Sequence, residues 1–235
     1  MVEVISGTAQ ELHDLDLHER RGERLIDVVE LVPTSPAVVL GSTQQLDIVD
    51  VEAARDAGFA VARRRSGGGI VVVDSSTARW LDITIGREHP MWDDDVVRAS
   101  KWVGDAWRRA VIGTAPTGTA PTVGVAPAGT APTVGVASAT DRRRDGSVLC
   151  FWGLGPGEVT ISGAKLVGLS QRRTRDGARF QCQFHTAWRP RDWVHLIRPL
   201  AEPMADTDWP AVATLPPSLA PAVIADFIED VLAHF

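Results

Sequence analysis

Two clusters in this chain have the residue types and spacing for chemistry. The first is Arg63-Arg64-Arg65-Ser66-Gly67-Gly68-Gly69. Contiguous glycines let a backbone approach a ligand closely and turn its N–H groups toward it. The arginines add charge-assisted donors suited to phosphate or carboxylate. Such a loop fits a nucleotide or an acyl-adenylate. It is not a Walker loop, because no Gly-Lys-Ser/Thr follows, and not a dinucleotide fingerprint, because its glycines are contiguous and a strand is expected after them. By itself it reads equally well as a glycine-rich hairpin with solvated arginines. The second cluster is Ile161-Ser162-Gly163-Ala164-Lys165-Leu166-Val167-Gly168-Leu169-Ser170-Gln171-Arg172-Arg173. Gly163 allows a tight turn, and Lys165 then sits early in a strand among apolar neighbours. Of the 24 lysines and arginines only Lys101 and Lys165 are lysines. A lysine kept in so arginine-rich a chain offers a compact ammonium where arginine offers a planar fork. An exposed edge lysine is the plain alternative.

Cys150 lies shortly before Lys165. It is a candidate nucleophile, or, between Leu149 and Phe151, a small core residue. Cys182 alternates with Phe180 and Phe184 and reads as core. Asp93-Asp94-Asp95 reads as the charged start of a helix and not as a metal site, and no metal-ligating set is expected. Arg142-Arg143-Arg144 reads as a solvated loop that could touch an acidic partner. Trp80 and Trp152 are candidates for lining an acyl tunnel; the other tryptophans read as core.

These residues need elements to position them. Thr8 to about Val29 reads as one helix, opened by a Thr8–Glu11 capping box. Ala37–Leu40 reads as a buried strand and Val49–Ala57 as a helix stopped by Gly58. Phe59–Arg63 and Ile70–Asp74 read as paired strands joined by the glycine loop. Trp80–Ile85 reads as a strand and Asp93–Val111 as an amphipathic helix. Strands are expected at Val148–Trp152, Glu158–Ser162, Lys165–Arg173 and Arg179–Trp188, with Asp176-Gly177 turning a hairpin between the last two. Trp193–Ile197 reads as a helical turn, and a last helix starts at Ser218 or Pro221 and runs to about His234. Hairpins mixed with scattered helices predict an α/β or α+β fold with a largely antiparallel mixed sheet flanked by helices.

The 235 residues suit a single domain spanning 1–235, and the interval from about 113 to 146 has a different character. Gly118-Thr119-Ala120-Pro121-Thr122-Val123-Gly124-Val125 recurs as Gly129-Thr130-Ala131-Pro132-Thr133-Val134-Gly135-Val136. Two copies are too few for a solenoid. A duplicated, loosely packed surface insertion is expected, with a lid or partner-binding arm as the functional alternative. A net charge of −6, with 44% hydrophobic and 23% charged residues, is ordinary for a soluble enzyme and gives no bulk-charge argument for nucleic acid. No apolar run is long enough for a membrane span, and the start has no signal-peptide pattern. Two cysteines without zinc spacing fit a reducing cytoplasm.

Three segments carry a family resemblance, in order along the chain. Pro36-Ala37-Val38-Val39-Leu40-Gly41-Ser42-Thr43-Gln44 is similar to a strand ending in Gly-x-x-Gln in the biotin/lipoate protein ligases. Arg63–Gly69 resembles the Arg-Arg-x-Ser-Gly-Gly-Gly signature of lipoate–protein ligases, and Gly163–Gln171 their Gly-x-Lys-x-x-Gly-x-x-Gln segment. The chain departs from the pattern after Gly69, where Ile70-Val71-Val72-Val73-Asp74 replaces a small-aromatic-His-Asp stretch. It departs again at His185-Thr186, where His-Gly is common.

The resemblance implies a class II synthetase-like catalytic domain, without the accessory C-terminal domain of many full ligases. It implies activation of lipoate or octanoate by ATP with Mg²⁺, giving an acyl-adenylate, then transfer to a lysine of a lipoyl carrier domain. The carrier would be of the 2-oxoacid dehydrogenase E2 or glycine cleavage H protein type. By position Arg64, Ser66, Gly67, Gly68, Gly69, Ile70, Val71 and Val72 would contact the nucleotide. Lys165 would sit between carboxylate and α-phosphate, offsetting the repulsion of two anions. A second reading takes Cys150 as the nucleophile of an ATP-independent octanoyl or lipoyl transferase, similar to octanoyltransferases of this superfamily. A third is a non-catalytic acyl- or adenylate-binding protein. Lipoate, octanoate and biotin all remain open as the acid.

Overall fold

The computed structural model describes residues 2–114, 122–123, 133–141, 148–200 and 211–233. In chain order the elements are β1 (Glu3–Gly7), α1 (Ala9–Asp14), α2 (Leu17–Arg21), β2 (Ile26–Pro33), β3 (Ala37–Leu40), α3 (Val51–Asp56), β4 (Ala60–Arg63), β5 (Val71–Val73), β6 (Ala78–Gly86), α4 (Val96–Thr114), β7 (Thr122–Val123), β8 (Val134–Val136), β9 (Val159–Ile161), β10 (Ala164–Arg173), β11 (Gly177–His185), β12 (Ala213–Thr214) and α5 (Ala220–Ala233). The main sheet runs β1-β2-β6-β11-β10-β9-β8, with β12 beside β11 and β7 beside β12. Its pairs are antiparallel except β1–β2 and β11–β12. A small sheet, β4-β3-β5, stands apart from it. The fold is therefore the mixed, mostly antiparallel α/β arrangement that the pattern of elements predicts.

One apolar core joins the central strands of the main sheet to α4 and α5. Trp107 of α4 stacks on Phe227 of α5 with ring centroids 3.8 Å apart, and Trp107 meets Phe184 of β11 edge-on. A second core packs α1 and the small sheet against β2 and Trp80 of β6. The small sheet's other face covers Trp193, Leu196 and Ile197. The site lies where the two sheets meet.

Three expectations change. The single helix from Thr8 to Val29 is two short helices followed by β2. The Thr8–Glu11 capping box is present, but Asp16 caps a second helix and Gly22, at φ +61°, ends it. The β-branched run that follows then favours a strand. The strands before and after the glycine loop do not pair with each other. They flank β3, β4 in parallel and β5 antiparallel. The loop must therefore cross the end of β3, and it does so over Gly41, where any Cβ would collide with the carbonyl oxygen of Gly68. The expected strand Val148–Trp152 is a single bridge, Leu149 to Ile70, followed by a 3₁₀ turn at Cys150–Trp152. The Trp193–Ile197 turn is likewise 3₁₀, over Val194–Leu196.

The repeated insertion is partly built into the sheet. β8, from the second copy, pairs with β9, and β7, from the first, pairs with β12. Arg142–Arg144 and most of the two repeats lie outside the described residues.

Candidate active site

The glycine loop is held from beneath by Arg64. Its guanidinium is buried and donates to the carbonyls of Gly67 (2.9 Å) and Gly69 (2.8 Å). That turns the loop's carbonyls inward. Among the described residues, no partner contacts the N–H groups of Gly67, Gly68 or Gly69. Gly67 and Gly68 are exposed, and Gly68 has φ +102°. Unpaired N–H groups on a loop of this kind can make a concavity for an anion. The carboxamide of Gln44 locks the base of the loop: Gly41 N–H donates to it at 2.9 Å, and it donates to Val148 O at 3.0 Å. Arg63 points elsewhere, onto the carbonyls of Gly41 and Gln44, and Arg65 pairs with Asp14 on the surface.

Lys165 lies at the start of β10, where Ser162 (φ 49°) and Gly163 (φ 82°) turn the chain back from β9. Its side chain is buried. The ammonium is 2.6 Å from Glu158 Oε1 and donates to the carbonyls of Cys150 (2.9 Å) and Gly153 (3.3 Å). Cys150 Sγ is 3.8 Å away and the Phe151 ring centroid 4.9 Å. Burial opposes the charge on Lys165, but Cys150 and Glu158 outweigh it, and the group is held above the usual lysine range. Glu158 also accepts from the backbone N–H groups of Gly155 (2.7 Å) and Leu169 (3.1 Å). A buried ion pair needs such further bonds to stand in for lost water.

The glycine loop and the lysine strand, a hundred residues apart, meet directly. Ser66 Oγ lies 3.1 Å from Ser170 Oγ and donates to Gln181 Oε1 at 2.8 Å. Gln181 Nε2 is 3.1 Å from His13 Nδ1. A cavity opens at this junction, lined by His13, Arg64, Val71, Cys150, Leu169 and Gln181 among others. His13 is carried there by α1. Arg179 docks that helix by donating to the carbonyls of Leu12, His13 and Leu15, while its charge meets Asp82 at 2.6 Å. Burial, with the positive charges of Arg179 and Arg64, lowers His13 to about 3. His185, between Phe151 and Trp188, is likewise lowered to about 3 by burial and by Lys165.

Arg64, Ser66, Gly68, Gly69, Val71, Cys150 and Lys165 thus converge. Gly67 sits at the exposed tip of the loop. Ile70 and Val72 pack their side chains into the core on the far face of the small sheet. Ile70 reaches the site through its carbonyl, which accepts from Cys150 N–H at 2.9 Å, and Val72 O accepts from Gln183. Cys182 is fully buried, and burial pushes its thiol up. Sequence reasoning missed Glu158, His13 and Gln181. Glu158 had a readable cue, a lone carboxylate closing the turn Gly155-Pro156-Gly157 just before the strand; His13 had none. Among the described residues no three His, Cys, Asp or Glu side chains group to hold a metal. No helix among them is long and apolar enough to cross a membrane.

Comparison with known proteins bears on the fold and the family. No curated protein matches the sequence significantly. Among solved structures, protein Ta0514 from T. acidophilum with bound lipoic acid superposes with a TM-score of 0.64 at 13% identity, over 98% of this chain and 85% of that one. A lipoate-protein ligase A bound with ATP gives 0.62 at 14%, over 98% and 85%. A bi-partite lipoate protein ligase from Thermoplasma acidophilum, solved in a study with its E2 lipoyl domain, gives 0.53 at 14%, over 98% and 84%. At such identities these likenesses speak for the fold. The model of the lipoyl protein ligase A/B catalytic domain matches residues 8–235, and the chain belongs to that family.

Proposed function

We propose that this protein moves a lipoyl- or octanoyl-type acyl group onto a lysine of a lipoyl carrier domain, with chemistry at the acyl carbonyl centred on Lys165. The observation that carries this is the meeting of the Arg64-braced glycine loop with the strand of Lys165, beside a cavity that Arg64, Ser170 and Cys150, the neighbour of Lys165, line. Family membership and the lipoate- and ATP-bound relatives support it.

In the leading route the chain is an ATP-dependent ligase. The acid's carboxylate oxygen attacks the α-phosphorus, pyrophosphate leaves, and the carrier lysine then displaces AMP from the mixed anhydride. The free N–H groups of Gly67–Gly69 would take a phosphate, and the Lys165 ammonium would offset the charge gathered in the attack. Mg²⁺ would accompany the phosphates, as it commonly does; the described side chains form no cluster for it, and no step is assigned to it. An E2-type lipoyl domain is the proposed acceptor, an H-protein type the second. ATP and free thiols at Cys150 and Cys182 suit a cytoplasmic setting.

A second route is favoured by the donor count at Lys165. An ammonium has three N–H donors, and here Glu158, Cys150 O and Gly153 O take all three. An α-phosphate could bind Lys165 only if the 150–153 turn moved. A thiol route needs no such movement, because Cys150 Sγ already lies 3.8 Å from Nζ and lines the cavity. Cys150 would take the acyl group from a carrier thioester, releasing the carrier thiol, and pass it to the acceptor lysine as an amide, regenerating the thiol.

One experiment separates the routes. The protein is incubated with lipoate, octanoate or biotin plus ATP, and separately with octanoyl carrier thioester, then analysed by mass spectrometry. Acyl-adenylate that disappears in Lys165→Ala supports the ligase. An adduct on Cys150 without ATP, converted to a stable oxyester in Cys150→Ser, supports the transferase. Neither product with any donor sinks both routes and leaves a binding protein.

A further inference from the structure

The cavity at Cys150 shares a wall with a larger one. Val73 of β5, Trp80 of β6 and Gln183 of β11 line both that cavity and the larger one. The second runs past Asp74, Ser75 and the Glu30–Arg79 ion pair. Trp80 is the largest side chain that the two cavities share, and it is fixed in place. Its indole is 4% exposed and lies 4.5 Å, centroid to centroid, from the His13 ring. Nε1 donates to Asp82 Oδ1 at 2.7 Å, and Asp82 is itself clamped by Arg179. Gln183, opposite Trp80 in the strand register, is tied to Val72 O at 2.8 Å. A rigid aromatic held by a hydrogen bond and a ring contact sets a sharper limit than a flexible aliphatic side chain, which can swing aside.

We propose that Trp80 is a specificity-determining residue: it closes the Cys150 cavity against the second cavity and so sets the length of acyl chain the protein accepts. The inference rests on the acyl reading above. A chain whose carboxyl carbon lies at Lys165 and Cys150 has Val71, Leu169 and Val73 as its apolar walls, and Trp80 bounds the cavity on the side of the larger void. Carbons beyond that limit have no room unless the partition opens. Both sides of the wall are already void, so a smaller residue at position 80 would merge two existing spaces.

The test uses the full chain and direct binding, read by calorimetry with hexanoate, octanoate, dodecanoate and hexadecanoate. The parent should bind octanoate in preference to the longer acids. One methylene in an apolar pocket is worth about tenfold or more in discrimination, so Trp80→Leu should raise dodecanoate relative to octanoate by at least about tenfold. Trp80→Phe, which keeps a ring in the wall, should shift the preference less. Val73→Phe thickens the same partition without touching the indole's bonds. It should favour hexanoate over octanoate, and it keeps the question open to refutation if Trp80→Leu does not fold. Octanoate binding by the parent with the same chain-length order in every folded variant overturns the wall and leaves the acyl reading standing. A parent that binds none of the acids overturns both.

Discussion

At the scale of single residues, the Lys165–Glu158 pair carries the strongest expectations. Both side chains are 4% exposed, and each satisfies the other. Removing one partner of a buried pair leaves an uncompensated charge, which costs about 3–5 kcal/mol. Glu158→Ala should therefore lower unfolding free energy by about that amount, measured by urea titration at neutral pH. A loss no larger than that of an exposed Glu23→Ala control would show that water reaches Lys165. The other lysine, Lys101, pairs instead with Asp105 on the surface of α4.

Two of the buried histidines, His13 and His185, contribute a pH dependence. His13 and His185 are both lowered to about 3 from 6.5. Between those values the unfolded chain binds protons that the folded chain does not, so stability falls as pH drops from about 6.5 toward 3. Above about 6.5 these two groups add no slope. His185→Gln removes one of the titrating groups, so the plot of urea midpoint against pH should be shallower below pH 6.5 than in the parent. Parallel curves would mean that His185 protonates without unfolding.

At the scale of elements, the crossing of the glycine loop over β3 depends on Gly41. A Cβ there would collide with Gly68 O, and the atoms behind it belong to backbone, which cannot swing away. Gly41→Ala should displace the loop from Arg64 and from Ser170 while leaving the main sheet intact. The expected result is a loss of acyl product of about tenfold or more, since a displacement of an ångström can cost a hundredfold, with the far-UV spectrum unchanged. Full activity would show that the loop's placement relative to Lys165 is unimportant.

This crossing also marks where sequence reading stops. The glycines, Arg64 and Lys165 stand out because their types are rare or clustered, and local periodicity finds β3, β4, β6, β10, β11, α4 and α5. Pairing is different. Two strands joined by a short glycine loop read as a hairpin, and only the third strand lying between them shows otherwise. The early helix fails for a related reason: the apolar spacing of Leu12, Leu15, Leu25 and Val28 suits one helix, yet the caps at Asp16 and Gly22 break it and the β-branched run after Leu25 pairs with β6. His13 enters the site only because Arg179 docks α1 on the sheet, a contact between residues 166 apart in sequence.

At the scale of the whole molecule, the duplicated segment is more than an appended loop. Thr122-Val123 and Thr133-Val134 occupy the same place in the two copies, yet the first pair joins β12 and the second begins the strand on β9. The end of the second copy is tied to the turn before Glu158. Ala137 N–H donates to Glu158 O at 2.8 Å, Ser162 N–H to Thr133 O at 2.8 Å, and Val136 packs against the core beside Gly104 of α4. These bonds reach the residue that holds Lys165, so the end of the repeat braces the site from behind. Removing residues 118–128 deletes the two-residue β7 and leaves one full copy to form β8. That deletion should lower Tm by no more than about 2–4 °C, equivalent to about 1 kcal/mol in a chain of this size. Val136→Asp keeps the length and puts a charge against α4 and the turn before Glu158. It should lower Tm further than the whole eleven-residue deletion, and it should speed hydrogen exchange in β9. If the deletion is the more damaging change, the first copy, through β12, holds the molecule together, and the bracing role of β8 is wrong.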